Sequence, residues 1–268
     1  MKVSLLSRMV VAVMFSAVSL VGVNMTASAQ QQQQQDQKKQ QDKQQKQDQK
    51  AQQQQKKQQD QQQKQDQKAQ QRYQQQLIEQ QKQRLTQYRK YLDQQQHLEQ
   101  QYAAQLQQQN RKEQKRYYQW YSEQLRKQQR YLENERDHDY NNDPYFFTAP
   151  NYRYKRGGAY YKTNQYGVQL LQQAVKYGYE EGFRAGKADR DDRWHSDYQG
   201  SYAYRDANYG YNGYYVSQDD YNHYFREGFR RGYEDGYNTR YVYGRNSNGR
   251  NSILENILTQ ILNLEPLR

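Results

Sequence analysis

The sequence predicts a mainly α-helical chain with extensive disorder: a long glutamine-rich helix, a small helical hairpin and a C-terminal amphipathic helix. Three observations lead there. From residue 30 onward only 27 of 239 residues are Leu, Ile, Val or Phe, or 11%, below the ~20% under which a charged chain is read as disordered. The large side chains that remain recur at steps of three, four and seven, the period of a helix. Three prolines in 268 residues leave long stretches with nothing to break one.

Composition also limits function. The chain carries 41 Lys+Arg against 29 Asp+Glu, a net +12, with 30 tyrosines and no cysteine. Without cysteine there are no disulfide scaffolds, thiol nucleophiles, zinc ribbons or iron–sulfur ligation. So small an aliphatic content argues against one large core, and with it against an ordinary pocketed enzyme.

Residues 1–29 read as a signal peptide. Lys2 and Arg8 give a basic start, Met9 to Val23 an apolar stretch, and Ala27-Ser28-Ala29 the small residues a signal peptidase reads. Cleavage is expected after Ala29. The alternative, a retained membrane anchor, needs ~20 apolar residues, more than this stretch supplies. Removing Lys2 and Arg8 leaves 39 − 29 = +10 on the mature chain, periplasmic or secreted, with no later transmembrane span.

Residues 30–72 form a Gln/Lys-rich low-complexity tract. From Gln30 to Arg130, 47 of 101 residues are Gln, and an internal repeat, Lys46 to Gln53, recurs at Lys64 to Gln71. With no apolar side chain larger than Ala before Tyr73, the tract is either a solvated helix or a disordered spacer. Residues 73–133 read as one long helix. Leu77, Leu85, Tyr88, Leu92, Tyr102, Leu106, Tyr117, Tyr121, Leu125 and Leu132 keep helical spacing. The stripe is diluted by Glu99 and Glu113, so a coiled coil and a single solvated helix both remain open.

Residues 134–163, rich in Asn, Asp, Pro and Gly, read as a disordered linker. The domain at 164–240 is tyrosine-rich and holds a duplicated motif. Glu181-Gly182-Phe183-Arg184-x-Gly186 returns as Glu227-Gly228-Phe229-Arg230-x-Gly232, 46 residues later. Glycine costs ~1 kcal/mol in a helix interior relative to alanine, so three glycines at i, i+4, i+8 imply a compensating contact. The expectation is a helical hairpin of 168–190 with 219–238. In it Gly178, Gly182, Gly186, Gly228, Gly232 and Gly236 form grooves, filled by Phe183, Phe229, Tyr179, Phe225 and Tyr233 of the opposite helix. Glu180–Arg184, Glu227–Arg231 and Arg230–Glu234 are the expected wet-face pairs. The insert 191–218 reads as an irregular loop.

The motif Gly178-Tyr179-x-x-Gly182-Phe183-x-x-Gly186-x-x-Asp189-Arg190, with Tyr224-Phe225-Arg226-x-Gly228-Phe229-x-x-Gly232-Tyr233-Glu234-x-Gly236-Tyr237, resembles a family of uncharacterised exported bacterial proteins. Those carry paired Gly-Tyr helices around a variable insert. The resemblance covers residues 165–240 and implies a domain boundary and export, with no activity attached.

After a linker at 241–251, residues 252–268 read as an amphipathic helix. Ser252-x-x-Glu255 is a capping box, Pro266 a stop, and Ile253, Leu254, Ile257, Leu258, Ile261 and Leu262 an apolar stripe for docking or self-association. The stripe's polar face lacks the Lys/Arg of a membrane-surface helix.

Candidate chemistry is sparse. Asp189, Asp191, Asp192, His195 and Asp197 form the densest ligand-capable cluster, read as a solvated acidic helix end. Asp137-x-Asp139-x-Asn141-x-Asp143 imitates a calcium loop without its glycine or final Glu. No catalytic residue, cofactor or metal site is assigned. The expected function is that of an exported, non-enzymatic structural or interaction protein of the bacterial cell envelope, partnering itself or an envelope protein. The alternative is a module that binds an anionic polymer, polysaccharide or extracellular nucleic acid.

Overall fold

A computed structural model describes residues 27–134, 138–143 and 145–267. The segment expected to be a signal peptide lies, up to Met25-Thr26, outside the described residues. The chain is mainly helical and divides into two units, residues 1–68 and 69–268.

In the first unit the glutamine tract is helix, the opening part of α1 (Ala27–Gln108). Gln, Lys and Ala are good helix formers and no Gly or Pro interrupts them. From Lys38 to Lys68 every residue is exposed.

In the second unit α1 ends at Gln108 and the chain turns through Asn110, whose φ is +58°. It returns as α2 (Lys112–Asn134). Arg126 pairs with Glu99 at 2.8 Å, and Arg89 donates to the Leu132 carbonyl at 3.1 Å. The expectation of one helix over 73–133 is therefore corrected: it is an antiparallel helix pair. Asn supplies the left-handed residue that most side chains resist. The stripe that looked too dilute for a coiled coil is an intramolecular face, with Leu85, Tyr88, Leu92, Tyr102, Leu106, Tyr121, Leu125 and Leu132 all buried.

Residues expected to be linkers carry strands. In 134–163, β1 (Tyr152–Arg156) and β2 (Ala159–Thr163) pair antiparallel around Gly157-Gly158. Both glycines have positive φ, +56° and +87°, as a type I′ turn requires. In 241–251, β3 (Gly244–Ser247) and β4 (Arg250–Ile253) pair around Asn248-Gly249, with φ of +52° and +79°.

The motif helices are α3 (Gln165–Asp191) and, beyond a crossover, α5 (Gln218–Asn238). The Asn164 side chain caps α3 by accepting from Tyr166 N and Gly167 N, each at 3.0 Å, and Ser217 caps α5. The two helices run in the same direction. Gly167, near the start of α3, lies against Val216 just before α5. Arg190, near its end, donates to the Gly236 carbonyl at 3.0 Å, near the end of α5. The pairing expected of a hairpin is thus made by parallel helices. Their connection is not a loose loop: it holds a 3₁₀ turn (Tyr198–Gly200) and α4 (Tyr202–Asp206), and buries Tyr202, Ala203, Asp206, Ala207, Asn208, Tyr211 and Val216.

The last helix, α6 (Glu255–Leu262), is shorter than expected. Ser252 lies in β4, so the capping box is not made; Leu254 stands at the N-cap without a side-chain bond. Asn263, at φ +43°, ends the helix, and Pro266 instead sits in β5 (Glu265–Pro266), paired with Tyr152 of β1. Ile253, Leu258 and Leu262 are buried in the common core, while Leu254, Ile257 and Ile261 are half-buried. The stripe docks on its own domain.

The core is one cluster joining α1, α2, α3, α5 and α6. Tyr88, Tyr121, Tyr179, Tyr211, Tyr221, Tyr224 and Tyr233 are among its largest fully buried side chains, with Phe225 and Phe229. Asp192 ties α3 to α2: its carboxylate accepts from Glu113 N at 2.9 Å and Gln114 N at 2.8 Å. These are orphan donors of the first turn of α2. Asp192→Ala is expected to lower the unfolding free energy by about 1 kcal/mol. Chemical denaturation of the full chain measures it, and unchanged stability would remove Asp192 as a clasp.

Candidate functional site

The glycine ladders meet backbone to backbone. A Cβ on Gly178, Gly182 or Gly186 would lie less than 3.0 Å from the carbonyl oxygen of Phe225, Phe229 or Tyr233 respectively. In return Gly228, Gly232 and Gly236 press on the carbonyls of Val175, Tyr179 and Phe183. The contacts are related by an internal two-fold in which residue i matches i + 50, pairing 178 with 228, 182 with 232 and 186 with 236. The sequence repeat runs at 46, one helical turn away. All nine residues singled out for helix packing lie on these two helices, and two corrections follow. The grooves are filled by main chain rather than by rings. Phe183 itself is half-buried, its ring stacked on Tyr241 at 5.5 Å. Of the expected ion pairs Glu227–Arg231 forms, at 2.7 Å; Arg184 pairs with Glu181 instead of Glu180, and Arg230 with Glu227 instead of Glu234.

Around the ladder, buried carboxylates are held by tyrosine hydroxyls. Tyr233 donates to Asp189 at 2.6 Å, Tyr179 to Asp235 at 2.7 Å, Tyr121 to Asp206 at 2.7 Å and Tyr117 to Glu181 at 3.3 Å. Asp235 also accepts from Val242 N and Tyr243 N, fixing the chain as it leaves α5. Asp206 takes a second hydroxyl from Tyr91, at 3.1 Å. Asp189 pairs with Arg111, whose guanidinium lies over the Trp194 ring. Burial pushes Asp189 and Asp206 above the ordinary Asp value despite these partners. It pushes Glu181 up to about 8, against the opposing pull of Arg184 and Tyr117.

The acidic cluster at the end of α3 is thereby accounted for. Asp189 holds Arg111 just before α2, Asp192 holds the first turn of α2, Asp191 pairs with Lys187 and Arg190, and Asp197 caps the 3₁₀ turn through Gly200 N. In the calcium-loop imitation Asp139 accepts from Asn141 N and Asp143 meets His138, while Asp137 lies outside the described residues. No group of three or more acidic or histidine side chains among the described residues is placed to hold a metal ion. No helix among them is long and apolar enough to cross a membrane.

Sequence reasoning missed a groove of about 380 Å³ in the second unit. One wall is the face of α1 at Gln70, Tyr73, Gln74, Leu77, Gln80, Gln81 and Arg84; the other is the segment 146–150 with 162–164 and Tyr215. The helical spacing of those α1 residues was visible, but their glutamines read as solvated filler.

No family model, curated protein or solved structure matches the chain.

The raised carboxylates predict a pH dependence of stability. Glu181 unfolds to an ordinary value of 4.5 from about 8, so between those limits the folded chain holds the extra proton and stability falls as pH rises. We expect the unfolding free energy to drop by a few kcal/mol between pH 4.5 and 8, and Glu181→Gln to flatten much of that slope. Denaturant titrations across the window check it; a slope that E181Q leaves intact would assign the effect elsewhere.

Proposed function

We propose that this chain is an exported, non-enzymatic structural or interaction protein of the bacterial cell envelope. The buried carboxylates are committed to tyrosine hydroxyls, backbone amides and Arg111, which support the fold. The observation that carries the reading is residues 38–68 of α1, exposed on every side with nine Lys against four Asp. A polar, lysine-rich helix that buries nothing of its own is a surface for a partner.

The lysine excess also favours a second reading, that the partner is an anionic envelope polymer. Such binding weakens with salt because exposed charges are screened within ~10 Å at 0.1 M ionic strength.

Two measurements test the proposal. Cell fractionation with mass spectrometry should find the chain in the periplasmic or secreted fraction, beginning at Gln30; a chain retaining residues 1–29 in the cytoplasm would overturn export. Retention on isolated envelope should be lost when the nine lysines of residues 38–68 are changed to glutamine. Retention that falls with salt as well favours the anionic polymer, and retention indifferent to the lysines removes this helix as the contact.

A further inference from the structure

The groove between α1 and the 146–150 segment carries a specific chemistry. Tyr73 stands at its rim, 60% exposed. Phe146, Phe147 and Tyr215 contribute further rings, and Arg84 and Lys162 are exposed cations on opposite walls. No residue lining it is acidic. Four other clefts among the described residues each include a carboxylate: Asp206, Glu113 with Asp191, Glu79, or Glu180. The lining itself thus presents two cations and no acid; Asp143, which bonds Tyr215 and accepts from Phe146 N at 3.2 Å, is engaged behind it.

Tyr215 adds an independent observation. It sits at φ +62°, a left-handed conformation that bulky residues rarely adopt. Its ring is held in this position beside Tyr166, at 5.6 Å, and by the Asp143 carboxylate. Strain of this kind persists only where the surroundings over-determine it, so the ring keeps one fixed place on the groove wall.

From these features we infer that the groove binds an acidic oligosaccharide. The ring faces pack against the C–H faces of pyranoses. The amides of Gln70, Gln74 and Gln80 offer donors and acceptors to sugar hydroxyls. Arg84 and Lys162 meet the carboxylates of uronic-acid units. A volume of about 380 Å³ is at the small end of ligand pockets and suits a few sugar units. A nucleic acid fits less well, since its binding rests on many phosphate contacts and the lining offers two cations. This inference goes beyond the proposed function and does not depend on export, because it is read on the purified chain.

The test is isothermal titration calorimetry of the full-length mature chain with trigalacturonate, maltotriose and a short thymidine oligonucleotide. Saturable binding of trigalacturonate is expected, with maltotriose at least tenfold weaker. Arg84→Gln/Lys162→Gln should weaken trigalacturonate at least tenfold, and Tyr73→Ala severalfold. All three positions are exposed, so circular dichroism and the thermal midpoint should not change. Absence of saturable trigalacturonate binding would overturn the inference, as would wild-type affinity in both variants. Equal affinity for maltotriose would remove the role of the cations, and tighter binding of the oligonucleotide would reassign the groove to nucleic acid. None of these outcomes bears on fractionation or on the lysines of residues 38–68, so failure here is distinguishable from failure of the proposed function.

Discussion

Backbone contact between α3 and α5 is the constraint on which the second unit depends. Six glycines remove side chains from the line where the helices meet, and each helix then rests on the carbonyls of the other. Cα–H to carbonyl contacts of this kind are individually weak, but the close approach also brings the flanking rings together. Tyr179, Phe225, Phe229 and Tyr233 are fully or almost fully buried beside the ladder. Because the helices are parallel, the chain must cross from the end of one to the start of the other. That crossover supplies Asp206, Tyr211 and Val216 to the core, and α1, α2 and α6 pack around the result.

A tyrosine core makes different demands from an aliphatic one. Tyr buries as much surface as other large aromatics, but its hydroxyl must find a partner. Here the partners are carboxylates and main-chain carbonyls, as with Tyr224 to the Lys155 carbonyl at 3.0 Å and Tyr221 to the Tyr209 carbonyl at 2.7 Å. Each hydroxyl offers the directional contact that Leu or Ile lacks, so the network specifies which ring goes where. The cost falls on the acids, which are buried far enough to shift toward protonation.

Much of this was legible in residue order and some was not, for physical reasons. The i, i+4, i+8 glycines marked the packing face of both helices, and the stripe from Leu85 to Leu132 marked the face of α1 and α2. Helix direction was hidden because equally spaced glycines look alike read either way. The turn at Asn110 was hidden because neither Gly nor Pro marks it. Asn248-Gly249 and Gly157-Gly158 are strong hairpin signals, yet their strands carry Tyr, Arg, Lys, Asn and Ser with little aliphatic content, and so read as linkers. Counting only Leu, Ile, Val and Phe overlooked the tyrosines, and with them the folded crossover. The groove went unseen because its second wall is far along the chain from α1.

The measurement that most directly tests the central claim is equilibrium unfolding of Gly182→Ala and Gly232→Ala in the full chain. Helix propensity alone would make each variant more stable by ~1 kcal/mol. Interlocked backbones reverse the sign, because the added methyl meets the Phe229 or Tyr179 carbonyl, and overpacking of this kind costs about 1–3 kcal/mol or more. A lowered unfolding midpoint in both variants is the expected result. An unchanged or raised midpoint would contradict the account.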